Sequence, residues 1–154
     1  MTQIDPHWTA YFSALLTPVV AVFGCIVTWR QYRIAQNKLK LDLFEKRFAV
    51  YNTARNMLGE IMIKGKLTDE GLYKYSAGIR EAKWLMNDDV ANYLSEELWD
   101  HAVDLMSYEA ELEDKPIGEQ RTTLVNKRGD LKKWFLLQPQ VLDAKVEKFL
   151  RLSH

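Results

Sequence analysis

The chain is poor in the residues that cross-link, break or activate a fold. It has one cysteine, Cys25, so no intramolecular disulfide framework exists. Its seven glycines are scattered, and the GKLT stretch from Gly65 to Thr68 lacks the preceding glycine and strand of a phosphate-cradling loop. No segment alternates apolar and polar residues long enough to build a sheet. The three histidines are His7, His101 and His154, and no serine or cysteine can be joined to one of them and a carboxylate as a nucleophilic relay. Glu97, Asp100, His101 and Asp104 share one helical side, but the second Glu-x-x-His pair of a bundle metal site is missing. A solvated acidic face is expected there. Formal net charge is zero, and the acid-rich run from Asp88 to Glu113 argues against nonspecific nucleic-acid binding. These absences predict no enzyme, no cofactor, no metal site and no nucleic-acid partner.

The most informative absence is of charge. From Trp8 to Trp29 no side chain is ionised, and RQYR follows at once. About 22 residues at 1.5 Å each give roughly 33 Å of helix, matching a hydrocarbon core of about 30 Å. A buried core helix would carry a polar stripe, which this run lacks. A cleaved secretory signal would need basic residues before it and a small-x-small site after it, and neither is present. The expectation is one retained transmembrane helix over 8–29. Trp8, Tyr11 and Trp29 belong at the headgroup zones, Pro18 introduces a mild kink, and Gly24 with Ser13, Thr17 and Thr28 can serve a helix contact or return hydroxyls to the backbone. Asp5 and His7 precede the run, whereas Arg30, Arg33, Lys38 and Lys40 follow it. Basic residues stay inside, so residues 1–7 form a short external terminus and everything after Trp29 faces the cytoplasm.

Beyond the membrane the helix continues without a stop. Proline and glycine are absent from Arg30 to Leu58, and Leu41, Phe44, Phe48, Tyr51, Leu58 and Met62 recur at alternating spacings of three and four. Arg55 interrupts that stripe, and either reaches outward or meets a partner's carboxylate. With Ala54, Met57 and Ile61 alongside, the face widens to the breadth of a bundle helix. Phe44, Phe48, Tyr51 and Arg55 are thus the candidate interface if the stripe faces a second chain, and core if it faces the following domain. Lys64-Gly65-Lys66 ends this long helix, 30–64. Thr68 and then Asn87 start the next two helices, the second carrying Val90, Leu94, Leu98, His101, Ala102, Leu105, Tyr108 and Leu112. EDKPIG breaks it, a fourth helix runs from about Glu119 to Leu137, and Pro139 separates a short terminal helix. The fold class is therefore all-α: one N-terminal transmembrane helix, then a small cytosolic bundle, 65–154, packed with 38–64.

KLKLDLFEKRFAVYNTARNML, directly after the apolar run, resembles a widespread group of small bacterial single-span membrane proteins of unknown function. Their pattern is LKLDLF, a basic pair, F-x-V-Y and a helical domain. The likeness extends loosely through LTDEGLYKYSAGIREAKWLMNDDVANYL. It implies a bacterial inner membrane and a helical fold, and transfers no catalytic residue. The function expected is a membrane-anchored interaction or regulatory module, with the lipid bilayer and a second copy or another protein as partners. One alternative is a membrane-acting effector, an oligomeric pore or bilayer-perturbing protein as in phage defence. The other is a small-ligand or nucleotide sensor, with a pocket near Arg55, Arg80, Lys83 and Trp84 or near Arg121, Lys127 and Arg128.

Overall fold

The computed structural model describes the backbone of residues 8–114 and 116–151, and the side chains of 18–113 and 116–151. The expected external terminus 1–7 and His154 lie outside the described residues, as do the side chains of Trp8, Tyr11, Ser13 and Thr17. Among the described residues all regular structure is helical, with no strand: α1 (Trp8–Lys64), α2 (Asp69–Ile79), α3 (Ala82–Leu85), α4 (Asp88–Asn92), a π-helical turn (Tyr93–Glu97), α5 (Leu98–Asp114) and α6 (Glu119–Leu150). The chain divides into two compact units, Met1–Leu41 and Asp42–His154, and α1 contributes to both.

In the first unit α1 is apolar and exposed. Val20, Val22, Phe23 and Trp29 are each about 60% accessible, and the Thr28 hydroxyl donates to the Gly24 carbonyl at 2.8 Å. Among the described residues, no helix is long and apolar enough to cross a membrane. The described part of the expected span, 18–29, covers about 18 Å at 1.5 Å per residue, short of a core of about 30 Å.

The second unit is a helical bundle around one core. Val50, Ala54, Met57, Leu58 and Ile61 of α1 meet Tyr75 and Ile79 of α2, Val90, Leu94, Leu98, Ala102 and Leu105 of the 88–114 run, and Phe135, Leu142 and Val146 of α6. Tyr51, Ala54, Met57, Leu58 and Ile61 of the expected widened face are buried, with burial centred toward Ala54, Met57 and Ile61. Phe48 and Met62 are exposed instead, and Val50, outside that face, is buried. The small Ala54, fully buried, lets neighbouring helices approach where an aromatic stripe would hold them off. At Gly78 an added Cβ would strike three side-chain atoms of Thr53, so α1 and α2 meet closely there.

Local chemistry fixes the joints. Gly65 takes the left-handed conformation (φ 68°) that glycine adopts without strain, and its N–H closes the end of α1 on the Ile61 carbonyl at 2.8 Å. Thr68 caps α2 by accepting from the Gly71 N–H at 3.0 Å, and Asn87 caps α4 by accepting from Val90 at 3.3 Å. The expected second helix is interrupted at Arg80 and Glu81, after which only the short α3 remains. Pro139 does not divide the last helix as expected: α6 runs through it. Phe135 and Leu142, both fully buried on either side, hold the helix in line, and tertiary packing overrides the local preference. The neighbouring Gln138 is the one buried polar side chain of the described residues. It accepts from the Tyr93 hydroxyl at 2.9 Å and donates to the Trp134 carbonyl at 3.2 Å, so its burial leaves neither amide atom unmatched.

The π turn has a defined partner. The Leu98 N–H reaches back to Tyr93 rather than to Leu94, which frees the Leu94 carbonyl in the core. The buried Tyr75 hydroxyl donates to it at 2.6 Å. Burial holds both phenols well above the ordinary value near 10, with the neighbouring Tyr93 adding to the effect at Tyr75 and the Glu97 charge adding to it at Tyr93.

Candidate functional site

The LDLFEKRF pattern of α1 resolves into structural contacts. Of its basic pair, Arg47 is part-buried: its Nε donates to the Leu85 carbonyl at the end of α3 at 2.9 Å, and its Nη1 donates to Phe149 near the end of α6 at 3.4 Å. One guanidinium thereby answers last-turn carbonyls of two helices. Lys46 forms an exposed pair with Glu81 at 3.7 Å. Of the candidate interface, Tyr51 is core and donates to Asp143 at 2.8 Å, while Arg55 leans outward and donates to the Tyr51 oxygen at 3.1 Å. Burial, then the Asp143 carboxylate, raise the Tyr51 phenol. Phe44 is half-buried and Phe48 is exposed; they stack on one another at 5.7 Å. Arg55 therefore has an intramolecular partner, and only the Phe44–Phe48 edge remains open. In the first unit, the Arg33 guanidinium lies 5.0 Å over the Trp29 ring, whereas Arg30, Lys38 and Lys40 are exposed with no partner among the described residues.

Two clefts in the second unit have room for a small molecule. The first, about 370 Å³, opens between α2, α3 and the π turn. Its apolar walls are Ile79, Ala82 and Ala91, all buried, together with the half-buried Trp99. Its polar atoms come from Arg80, Lys83, Ser76 and Ser95. No carboxylate lines it, and among the described residues neither cation has an anionic partner; Lys83 only approaches the Trp84 ring, at 5.7 Å. The break between α2 and α3 turns Arg80 into a joint, and the π turn presents Ser95. Sequence reasoning anticipated Arg80 and Lys83 but paired them with Trp84, which is 82% exposed and does not line the cleft. The indole that does so is Trp99. A signal for it existed in its place on α5, beside the inward-facing Leu98 and Ala102.

The second cleft, about 380 Å³, lies between α5 and α6 and is lined by His101, Asp104, Tyr108, Lys127, Asp130 and Trp134, among others. His101 stacks on Trp134 at 3.9 Å, and its Nδ1–H donates to the Glu97 carbonyl at 2.7 Å. That contact requires a proton on Nδ1, because a carbonyl oxygen can only accept. The other basic residues expected here are engaged: Arg121 donates to the Leu112 carbonyl at 2.7 Å, and Arg128 lies 4.0 Å from Glu109. No group of three acidic, histidine or cysteine side chains suited to a metal occurs among the described residues.

No family model, curated protein or solved structure matches the chain. The clefts thus stand on their own chemistry. The first combines uncompensated positive charge, hydroxyls and an indole, whereas the second has two carboxylates against one lysine and an indole face already covered by His101.

Proposed function

We propose that the protein is a membrane-anchored helical module whose bundle works at the cytoplasmic face of a bacterial inner membrane, by contact with a second copy or another protein. The carrying observation is the apolar run of α1. Val19, Val20, Val22, Phe23, Ile26 and Val27 are all more than 40% exposed, within a stretch that has no ionised residue from Trp8 to Trp29. Apolar surface left in water costs about 25 cal/mol per Å². Contiguous exposure of this kind calls for a lipid or protein cover. Length favours lipid, and the uncompensated Arg30, Lys38 and Lys40 on one side only give the orientation. The exposed Phe48 edge offers the bundle an apolar contact for a partner.

Cys25, the sole thiol, supplies the test. In isolated bacterial membranes a charged maleimide leaves Cys25 unmodified and modifies it after denaturation, and the chain stays in the pellet through an alkaline carbonate wash. Release by carbonate together with rapid labelling before denaturation would remove the anchored reading.

A further inference from the structure

We infer that the cleft between α2 and the π turn binds a nucleoside monophosphate, through Arg80 and Lys83 on the phosphate and Trp99 against the ring. This goes beyond the anchoring proposed above and stands independently of it, since every contributing residue lies in the second unit.

Charge sets the first half of the ligand. Arg80 and Lys83 line one cleft, have no anionic partner among the described residues and face no carboxylate in its wall; the nearest acid in sequence, Glu81, is engaged by Lys46 at 3.7 Å. Two uncompensated cations match a phosphate monoester, which carries about −1.5 to −2 near neutrality. The guanidinium offers paired donors and the ammonium a point charge. Ser76, half-buried and without a hydrogen bond among the described residues, has its hydroxyl proton free to donate to the same oxygens.

The walls set the second half. Ile79, Ala82 and Ala91 form an apolar lining beside the Trp99 indole, suited to a planar ring. Ser95 refines the choice, because its proton is already given to the Ala91 carbonyl at 2.8 Å. Its oxygen can only accept from the ligand, so the ring or its sugar must supply a donor, as a ribose hydroxyl or an exocyclic amine does. The volume, about 370 Å³, lies at the lower end of small-molecule sites and excludes larger nucleotides from full enclosure. The π turn that carries Ser95 is of the kind that recurs at functional sites.

The experiment is calorimetric titration of the full-length chain in detergent micelles with AMP, GMP, CMP and UMP, beside adenosine and inorganic phosphate. At least one monophosphate binds saturably at one site, with phosphate alone and the nucleoside each at least tenfold weaker. Arg80→Ala combined with Lys83→Ala, both exposed positions outside the core, weakens the monophosphate at least tenfold while thermal unfolding stays as in the parent. Trp99→Leu weakens the monophosphate and leaves phosphate unchanged. Saturation by no monophosphate, unchanged affinity in the Arg80/Lys83 double variant, or phosphate binding as tightly as the best monophosphate would each overturn the assignment. Membrane association is read separately through Cys25, so failure of one proposal leaves the other standing.

Discussion

Two stretches of α1 both carry apolar residues and are oppositely placed. Val20, Val22 and Phe23 are about 60% exposed, whereas Val50, Ala54, Met57, Leu58 and Ile61 are at most 3% exposed. The difference lies in what stands between them. From Asp42 onward charged residues alternate with the apolar ones, so the helix has one dry face, and the bundle covers it. From 18 to 29 there is no charged face, and among the described residues the apolar surface is left uncovered. Continuity of apolar residues and periodicity of apolar residues are thus separate signals, even within one helix.

That contrast can be broken most decisively by equal truncations on its two sides. Phe135→Ala, in the core, is expected to cost about 3–5 kcal/mol in denaturant unfolding of the full chain in micelles. Phe23→Ala is expected to leave the same bundle transition unchanged, and a comparable loss there would abolish the distinction. A smaller contrast separates the neighbouring bases Lys46 and Arg47 of the LDLFEKRF motif. Arg47→Met should cost about 1.5–3 kcal/mol, since charge-assisted bonds to two helix ends are lost. Equal melting of Arg47→Met and the parent would show those contacts to be idle.

Within the bundle, Tyr75→Phe should cost about 1–3 kcal/mol by stranding the Leu94 carbonyl. Its signature is also one of pH. The folded state holds the Tyr75 and Tyr93 protons above the ordinary value near 10, at which the unfolded chain releases them. Above pH 10 the unfolded state therefore binds fewer protons, so stability is intact below pH 10 and falls as pH rises beyond it. Unfolding free energies measured from pH 8 to 11 should show this decline, shallower in Tyr75→Phe. A stability rising over that range would contradict burial of the phenols. The smallest effect is expected from Lys46→Ala, whose exposed pair with Glu81 is worth about 0.5 kcal/mol or less, and whose loss should vanish in high salt.

Much of the fold was legible locally. The stop at Gly65 and the caps at Thr68 and Asn87 follow from φ preferences and side-chain acceptors that belong to single residues. What sequence misplaced depended on other helices. Tyr51, Ala54, Met57, Leu58 and Ile61 were legible as one face of α1, but the exposure of Phe48 and Met62 and the burial of Val50 depend on where the other helices lie. Pro139 reads as a break until Phe135 and Leu142 are seen anchored in one core. The same holds for the cleft. Arg80 and Lys83 were visible as a basic pair, but choosing Trp99 over Trp84 requires knowing which indole the break after Ile79 leaves inside.

The π turn also counts residues. It holds one more residue per turn than the α-helix around it, and each residue of an α-helix advances the side-chain direction by about 100°. Removing a single residue from 93–97 would leave an unbroken α-helix with its downstream side chains aimed much as before, because the wider turn already absorbs the surplus residue. What such a deletion would take away is the freed Leu94 carbonyl, and with it the acceptor that the buried Tyr75 hydroxyl meets.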